Sequence, residues 1–175
     1  GGGLLTEPFA RMGAKVTGID VGAENIAVAN SHARKNSLGI EYHVTAAEDV
    51  ANSGEQFDVV VSMEVVEHVT DIANFIETLV KLTQPGGILL LATLNRTITS
   101  FLFAILGAEF MLRLLPVGTH SWHRFSKPAE IGRHLRRAGA ELKNVTGMRY
   151  YPRQREWKLS PNTSVNYLVY ASRPN

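Results

Sequence analysis

The sequence predicts a layered α/β fold, in which a mainly parallel sheet carries helices on both faces and an antiparallel hairpin closes it. Three observations predict this fold. Helical and strand-like apolar patterns alternate along the chain, two strand-like runs are almost wholly apolar, and glycines follow several helical segments. Continuous Val-rich or Leu-rich runs are typical of parallel strands that are covered on both faces. One domain over residues 1–175 is the expected organisation.

The amino-terminal half shows the alternation of helix and strand. Gly13 and Gly39 each follow a segment with helical spacing of apolar residues, and glycine is common just past the end of a helix. The runs between these segments have the pattern of buried strands. In order, the predicted elements are a helix over 4–12, a strand AKVTGID ending at Asp20, a helix over 23–37, a strand IEYHVTAAED running into Glu48 and Asp49, and a strand FDVVVSM at 57–63.

The carboxyl-terminal half continues the alternation and then ends differently. The segments ELKNVTGMRYY and SVNYLVYASR have no helical segment between them, so they are expected to pair as an antiparallel hairpin. Before them come a predicted helix over 71–83 closed by QPGG, a strand ILLLATLN, a long apolar segment over 98–118, and a helix over 128–138 that ends before Gly139.

The chain opens on GGGLLTEPFA, a glycine-rich turn with no strand-like run before it. Such a turn normally connects a strand to a helix, so the first strand of the sheet is expected to be missing from this chain. In open α/β sheets the turn lets a cofactor approach the backbone, and an acid after the next strand binds ribose hydroxyls. Asp20 fits that acid, although it also fits a helix N-cap. These features alone suit a nicotinamide-dependent dehydrogenase as well as a methyltransferase.

Longer motifs favour the methyltransferase. The stretches AAED, FDVVVSMEVVEHV and LVKLTQPGGILLLATLNR resemble the class I S-adenosylmethionine-dependent methyltransferases, which have a Rossmann-like sheet. In order along essentially the whole chain, GGGLLTEPFARMGAKVTGID, MEVVEHV, TLNRT, GAEF, PVGTHSWHRF and VNY resemble the ubiquinone-biosynthesis O-methyltransferases. This resemblance implies methyl transfer from S-adenosylmethionine to a catechol-type hydroxyl of a polyprenylated ubiquinone precursor. The cofactor-binding residues that it implies are Gly1, Gly2 and Gly3 at the methionine end, Asp20 at the ribose, Ala47 and Glu48 near adenine, and Met63 beside the sulfonium.

The motif MEVVEHV carries the candidate chemistry. A phenol titrates near pH 10, by analogy with tyrosine, so its methylation needs a base or a metal that favours the phenolate. On an α-helix Glu64, Glu67 and His68 would share one face, directly after the strand that ends at Met63. We expect them to bind a divalent metal, with Glu64 also catalytic; the alternative is a solvated helix start, where acids are favoured by the helix dipole. Two carboxylates suit magnesium, whereas a histidine ligand is more typical of zinc, manganese or iron.

The motif GTHSWHRF supplies two further histidines, His120 and His123. Histidine is the natural general base near neutral pH, so His120 is the preferred second catalytic candidate, although an isolated loop histidine is often a bystander. No cysteine is present, which excludes disulfides, thiolate metal ligands and cysteine nucleophiles.

Charge is unevenly distributed along the chain. Residues 1–112 contain 6 Lys and Arg against 13 Asp and Glu, whereas residues 113–175 contain 12 against 3. No zinc-ligand spacing and no nucleic-acid-binding motif accompanies the basic half, so no nucleic-acid partner is expected. An anionic surface or an acidic partner protein remains compatible with it.

The segment 98–118, ITSFLFAILGAEFMLRLLPVG, is the most apolar stretch of the chain. It contains Gly107, Glu109, Arg113 and Pro116, so we expect it to lie on a membrane rather than to span it. The expected location is therefore peripheral, on the cytoplasmic face of a bacterial inner membrane or the matrix side of a mitochondrial one. The alternative is an ordinary buried helix of the core.

Two other functions stay open from the sequence. One is a non-catalytic fragment or pseudoenzyme that serves as a partner-binding module, for which a ubiquinone-biosynthesis protein complex is the candidate partner. The other is a methyltransferase for a soluble small phenol.

Overall fold

The computed structural model describes residues 1–100 and 124–175. The chain divides into two compact units, residues 1–54 and residues 55–175. The predicted apolar segment 98–118 lies outside the described residues from position 101 onward, as do His120 and His123. Among the helices of the described residues, none is long and apolar enough to cross a membrane.

The first unit is built on a pair of parallel strands. Its elements are α1 (Thr6–Arg11), β1 (Val16–Asp20), α2 (Ala23–Lys35), β2 (Ile40–Val44) and α3 (Ala47–Asn52). β1 and β2 pair in parallel from Val16 opposite Ile40 to Asp20 opposite Val44. Helix α2 buries Ile26, Ala29 and Ala33, which recur at helical spacing, so the helix turns one apolar stripe inward.

The second unit begins with a parallel pair connected through a helix. Its elements are β3 (Phe57–Met63), a 3₁₀ turn (Val66–His68), α4 (Ile72–Leu82) and β4 (Thr83–Leu94). The Asp71 side chain caps α4 by accepting from the Asn74 backbone N–H at 3.0 Å. β3 pairs in parallel with β4, which places Met63 opposite Ala92 at the carboxyl end of the pair.

The remaining elements extend this sheet by antiparallel pairing. They are α5 (Ile98–Ser100), α6 (Pro128–Arg137), β5 (Glu141–Tyr151), β6 (Glu156–Ser160) and β7 (Asn166–Ser172). The order of the five strands is β3-β4-β7-β5-β6, so the last strand of the chain lies inside the sheet. Its buried residues Tyr167, Val169 and Ala171 alternate along β7, as expected of a strand with one face packed on the core.

Most predicted elements are confirmed, and four details differ. β4 begins at Thr83, so QPGG lies inside the strand rather than between the helix and the strand. FDVVVSM is a strand over its predicted range, and the closing strands β5 and β7 are antiparallel as expected. β6, however, was not predicted, and it forms the direct hairpin with β5. β2 ends at Val44, so Glu48 lies in the first turn of α3 rather than at a strand end. The motif MEVVEHV contains a 3₁₀ turn instead of the start of an α-helix.

Candidate active site

The glycine turn of the first unit has a backbone that only glycine adopts easily. Gly3 has φ of 93°, in the left-handed region, and its carbonyl accepts from the Glu7 N–H at 3.2 Å as α1 begins. A Cβ on Gly3 would lie 3.1 Å from the Tyr42 hydroxyl. That hydroxyl is 2.6 Å from Thr6 Oγ1, which in turn donates to the Gly3 carbonyl at 3.2 Å. Two donors from α1, the Glu7 N–H and the Thr6 hydroxyl, therefore hold the Gly3 carbonyl in place.

Asp20, the predicted ribose acid, has two hydrogen-bond donors at one oxygen of its carboxylate. The Gly22 N–H donates to Asp20 Oδ1 at 2.7 Å, and the Asn25 amide donates to the same atom at 3.1 Å. These donors orient the Asp20 carboxylate at the end of β1.

The predicted adenine-side residues begin α3. Ala47 is buried and Glu48 is half-buried in the first turn of that helix. The Thr45 N–H donates to the Asp20 carbonyl at 3.2 Å, so the chain leaving β2 stays beside the end of β1. The first unit thus places Asp20 at the end of β1, and it places Ala47 and Glu48 three and four residues beyond the end of the neighbouring strand.

In the second unit, Met63 ends β3 and Glu64 follows it in an unusual conformation. Met63 is half-buried, and the Glu64 N–H donates to the Ala92 carbonyl at 2.9 Å. Glu64 has φ of 54°, which few residues other than glycine adopt. Such conformations cluster at functional sites, where the surrounding structure holds them. Nothing in the sequence pattern signals this backbone turn.

Glu67 is buried, and one of its two carboxyl oxygens accepts a hydrogen bond. The residue is 3% exposed. The Thr93 hydroxyl donates to Glu67 Oε2 at 2.8 Å, whereas Oε1 has no hydrogen-bond partner among the described residues. Thr93 is a residue that sequence reasoning missed, because it stands 26 positions away within an apolar strand.

The neighbouring acid Glu64 has a raised pKa. Burial of its carboxyl and repulsion from Glu67 raise the pKa of Glu64 to about 8. Two carboxylates that share a site without enough donors disfavour each other's ionisation, and a cation removes that penalty.

The predicted three-residue metal site is not assembled. Among residues 1–100 and 124–175, no group of three or more His, Asp or Glu side chains is arranged to hold a metal ion. The prediction assumed an α-helix, in which i, i+3 and i+4 share a face. The structure instead has a 3₁₀ turn over Val66–His68 that begins after Glu64, and Glu64 has a positive φ, so the three side chains do not share one helical face. Glu64 and Glu67 remain neighbours, and His68 is exposed.

Three polar contacts that the sequence did not predict connect the residues after β4, and Ser126 before α6, to other parts of the second unit. The Asn95 amide donates to the Thr163 carbonyl at 2.8 Å. Arg96 forms an ion pair with Glu130 of α6. The Tyr167 hydroxyl donates to the Ser126 carbonyl at 2.8 Å, and burial raises the pKa of Tyr167, so it remains a donor. The polar residues Asn95, Arg96 and Thr97, which directly follow an apolar run, were the sequence pattern that could have indicated these contacts.

Comparisons with known proteins identify the family. A family model described as a methyltransferase domain matches residues 1–91. The ubiquinone biosynthesis O-methyltransferase of Methylobacterium sp. (strain 4-46) is 45% identical over 174 residues, covering 99% of this chain and 70% of the relative. That of Azorhizobium caulinodans is 47% identical over 169 residues, covering 97% and 67%. This chain belongs to the ubiquinone biosynthesis O-methyltransferase family.

Solved structures agree on the fold. A SAM-dependent methyltransferase from Methanosarcina mazei has a TM-score of 0.73 at 20% identity, covering 99% of this chain and 89% of that one. The N-methyltransferase NodS from Bradyrhizobium japonicum, in complex with S-adenosyl-L-homocysteine, has a TM-score of 0.65 at 18% identity, covering 99% and 74%. The predicted class I methyltransferase fold is confirmed, and family membership makes the protein an S-adenosylmethionine-dependent methyltransferase.

Proposed function

We propose that the protein methylates a catechol-type phenolic hydroxyl of a polyprenylated ubiquinone precursor. Family membership supports the O-methyl transfer and the place in ubiquinone biosynthesis. The observation that carries the catechol chemistry is the acid pair Glu64 and Glu67 after β3, in which Glu67 Oε1 is buried and has no hydrogen-bond partner in the part of the chain that the structure describes. A partner-binding module without activity is not favoured, since nothing in such a role needs this pair.

Cofactor binding in the proposal uses the residues that the sequence predicts for it. When bound, S-adenosylmethionine supplies a methyl group already activated on a sulfonium, so the protein's task is to orient it and the acceptor oxygen. In the proposal, the turn at Gly1, Gly2 and Gly3 admits the methionine part, Asp20 accepts hydrogen bonds from the ribose, and Ala47 with Glu48 lies near adenine. Met63 lies beside the sulfonium.

The acceptor end uses the acid pair. Glu64 and Glu67 would hold one magnesium ion. Mg²⁺ is commonly bound by one or two carboxylates, and water and substrate oxygens complete its coordination shell. When bound, the ion supplies positive charge that favours the phenolate at the reacting hydroxyl. The hydrogen bond from the Thr93 hydroxyl to Oε2 keeps the Glu67 side chain oriented. His68 has no place in this reduced ligand set.

Two parts of the proposal concern residues outside the described ranges. His120 is the proposed base that removes the phenolic proton, because an imidazole titrates near neutral pH. The segment 98–118 is proposed to lie on the membrane surface, where a polyprenylated substrate resides. The protein would then be peripheral, on the cytoplasmic face of a bacterial inner membrane or the matrix side of a mitochondrial one, and a ubiquinone-biosynthesis complex is a possible assembly there.

The test is an activity assay on the full-length protein. Methyl-labelled S-adenosylmethionine is incubated with a prenylated catechol, with a prenylated monophenol and with a water-soluble catechol. The proposal expects a labelled, O-methylated catechol and no product from the monophenol. Equal turnover of the monophenol would contradict the role given to the acid pair, and exclusive turnover of the soluble catechol would favour the soluble-phenol methyltransferase. For the membrane segment, Phe101→Glu with Leu102→Glu should reduce co-sedimentation with cardiolipin-containing vesicles.

A further inference from the structure

The hairpin of residues 147–160, which we call the outer hairpin, extends beyond the rest of the sheet. β5 pairs with β7 from Glu141 to Thr146, and from Gly147 to Tyr151 it pairs with β6. The Met148 N–H also donates to the Asn166 side chain of β7 at 3.0 Å, and the hairpin extends past this contact. Every residue from 149 to 159 is exposed. A two-stranded ribbon that packs against no other element is only marginally stable in water. Binding of a partner to its surface would therefore stabilise the outer hairpin.

One face of the outer hairpin is apolar. Opposite residues in an antiparallel pair project to the same side, and here Tyr150 stands opposite Trp157 while Met148 stands opposite Leu159. The rings of Tyr150 and Trp157 pack with centroids 5.2 Å apart. Trp157 is nevertheless 60% exposed and Leu159 is 70% exposed. Large apolar side chains left open side by side in this way mark an interaction surface.

The other face and the turn are cationic. Arg149 stands opposite Lys158, and each cation lies 5.6 Å from the centroid of the Tyr151 ring. Arg153 and Arg155 occupy the turn. Glu156 is the single acid between residues 149 and 158, where the formal net charge is +3.

Two other occupants fit this surface less well. Nucleic acid needs open aromatic faces for stacking. Here Tyr150 and Trp157 pack on each other, and Tyr151 is approached by the two cations. A second copy of the chain would have to pair along β6, a five-residue edge strand with Lys158 inside it and Pro161 just after it. Short edges with lysine and proline discourage such pairing.

We infer that the outer hairpin docks on a lipid bilayer surface that carries anionic headgroups. Tryptophan and tyrosine favour the membrane–water interface, where an aromatic body is buried and its polar edge stays hydrated. Arginine and lysine beside them attract anionic headgroups. The inference rests on the proposed function in one respect, since a polyprenylated substrate gives the enzyme a reason to approach a bilayer. It concerns an element separate from the segment 98–118.

The test combines vesicle binding with a local fluorescence reporter. Full-length protein is mixed with vesicles of phosphatidylcholine alone or of phosphatidylcholine with cardiolipin. In a Trp122→Phe background Trp157 is the remaining tryptophan of the 175 residues. Its emission should shift to the blue on cardiolipin vesicles and be quenched by brominated lipid. Any other tryptophan of the full-length protein is replaced by phenylalanine first.

Two pairs of variants separate the two faces. Arg153→Glu with Arg155→Glu should weaken binding to cardiolipin vesicles at least about tenfold, because each positioned cation contributes a severalfold factor. Trp157→Ser with Leu159→Ser should lose binding to a similar extent. The matched control is Arg136→Glu with Arg137→Glu, an equal charge change at exposed positions of α6. It should lose less than about threefold, since charges away from the contact are screened.

The results that would overturn the inference are specific. Trp157 emission that vesicles leave unchanged, or hairpin variants that bind as tightly as the control pair, would show that the outer hairpin does not touch lipid. Methylation of a water-soluble catechol is the independent readout for the proposed function. Turnover without vesicle binding by the wild type would reject the docking inference alone. Hairpin-dependent vesicle binding without turnover of any phenol would reject the proposed function alone.

Discussion

Asp20 after β1 and the acid pair after β3 are both carboxylates at the ends of parallel strands, but their surroundings are opposite. Asp20 accepts from the Gly22 N–H and the Asn25 amide. Glu67 accepts from the Thr93 hydroxyl through Oε2, whereas its Oε1 has no hydrogen-bond partner among residues 1–100 and 124–175. The pKa of Glu64 beside it is raised to about 8.

In the proposed function, this difference assigns a different ligand to each place. A carboxylate that already accepts from nearby donors can accept a further neutral donor, such as a ribose hydroxyl, at little cost. Two neighbouring carboxylates with few donors gain most from a cation, because a cation relieves both the repulsion and the loss of hydration.

The largest effect is expected from Glu67→Gln. The amide keeps the shape and an acceptor for Thr93 but removes the charge, so kcat on a prenylated catechol with saturating Mg²⁺ should fall at least about 100-fold, or about 2.7 kcal/mol. Affinity for S-adenosylhomocysteine, measured by calorimetry, should change less than about threefold. Full activity that also resists a chelator would contradict the cation role of the pair.

A smaller and different effect is expected from Asp20→Ala. Loss of a charged acceptor for the ribose should weaken binding of S-adenosylhomocysteine about tenfold to 100-fold. The dependence of the rate on Mg²⁺ concentration should stay unchanged. Glu24→Ala, which removes another exposed acid of the same unit, is the matched control. Equal affinity in both variants would mean that Asp20 is only a local turn residue.

Thr93→Val tests whether the hydrogen bond from Thr93 positions the Glu67 side chain. Valine matches the shape of threonine but leaves Glu67 Oε2 without its donor, so the free energy of unfolding should fall by about 1–3 kcal/mol. Thr93→Ser keeps a hydroxyl and should retain more of the stability. Beyond stability, the half-saturating Mg²⁺ concentration should rise for valine and recover for serine. A valine variant with wild-type values on both measurements would remove Thr93 from the account.

The smallest effect is a pH dependence of stability in Mg²⁺-free buffer. The folded pKa of Glu64 lies above its unfolded value, so the stabilising contribution is fully present below pH 4.5 and is lost as pH rises through about 8. Although the Glu64 carboxyl is partly desolvated, the residue as a whole is exposed, so solvent screening reduces the change to about 1 kcal/mol. Glu64→Gln should flatten this component in denaturant titrations across that range. An unaltered pH profile in the variant would show that Glu64 is not the titrating group.

Elements with long periodic patterns could be predicted from the sequence. FDVVVSM is a strand over its predicted range, and α4 lies within one residue of the prediction at either end, because apolar periodicity reports burial directly. β6 escaped prediction since EWKLS is a short run that leaves both of its faces exposed, so no burial pattern marks it. Glu48 was misplaced because a strand and a helix follow each other within three residues.

The acids of the proposed site lie in a motif that the sequence singles out, but their geometry could not be predicted. MEVVEHV contains Glu64 and Glu67, yet the positive φ of Glu64 and the 3₁₀ turn after it depend on tertiary contacts, such as the hydrogen bond from the Glu64 N–H to the Ala92 carbonyl. That local geometry separates His68 from the pair. The Thr93 contact joins positions 26 apart, which no local pattern encodes.

The most direct test of the central claim is a titration of Mn²⁺, used as a paramagnetic stand-in for Mg²⁺, followed by electron paramagnetic resonance on full-length protein with a catechol present. The account predicts one bound ion per chain in the wild type and in Asp20→Ala, and loss of that ion in Glu64→Gln and in Glu67→Gln. Binding that survives both glutamine variants, or that disappears in Asp20→Ala, would contradict the account, because the cation site would then not be the acid pair after β3.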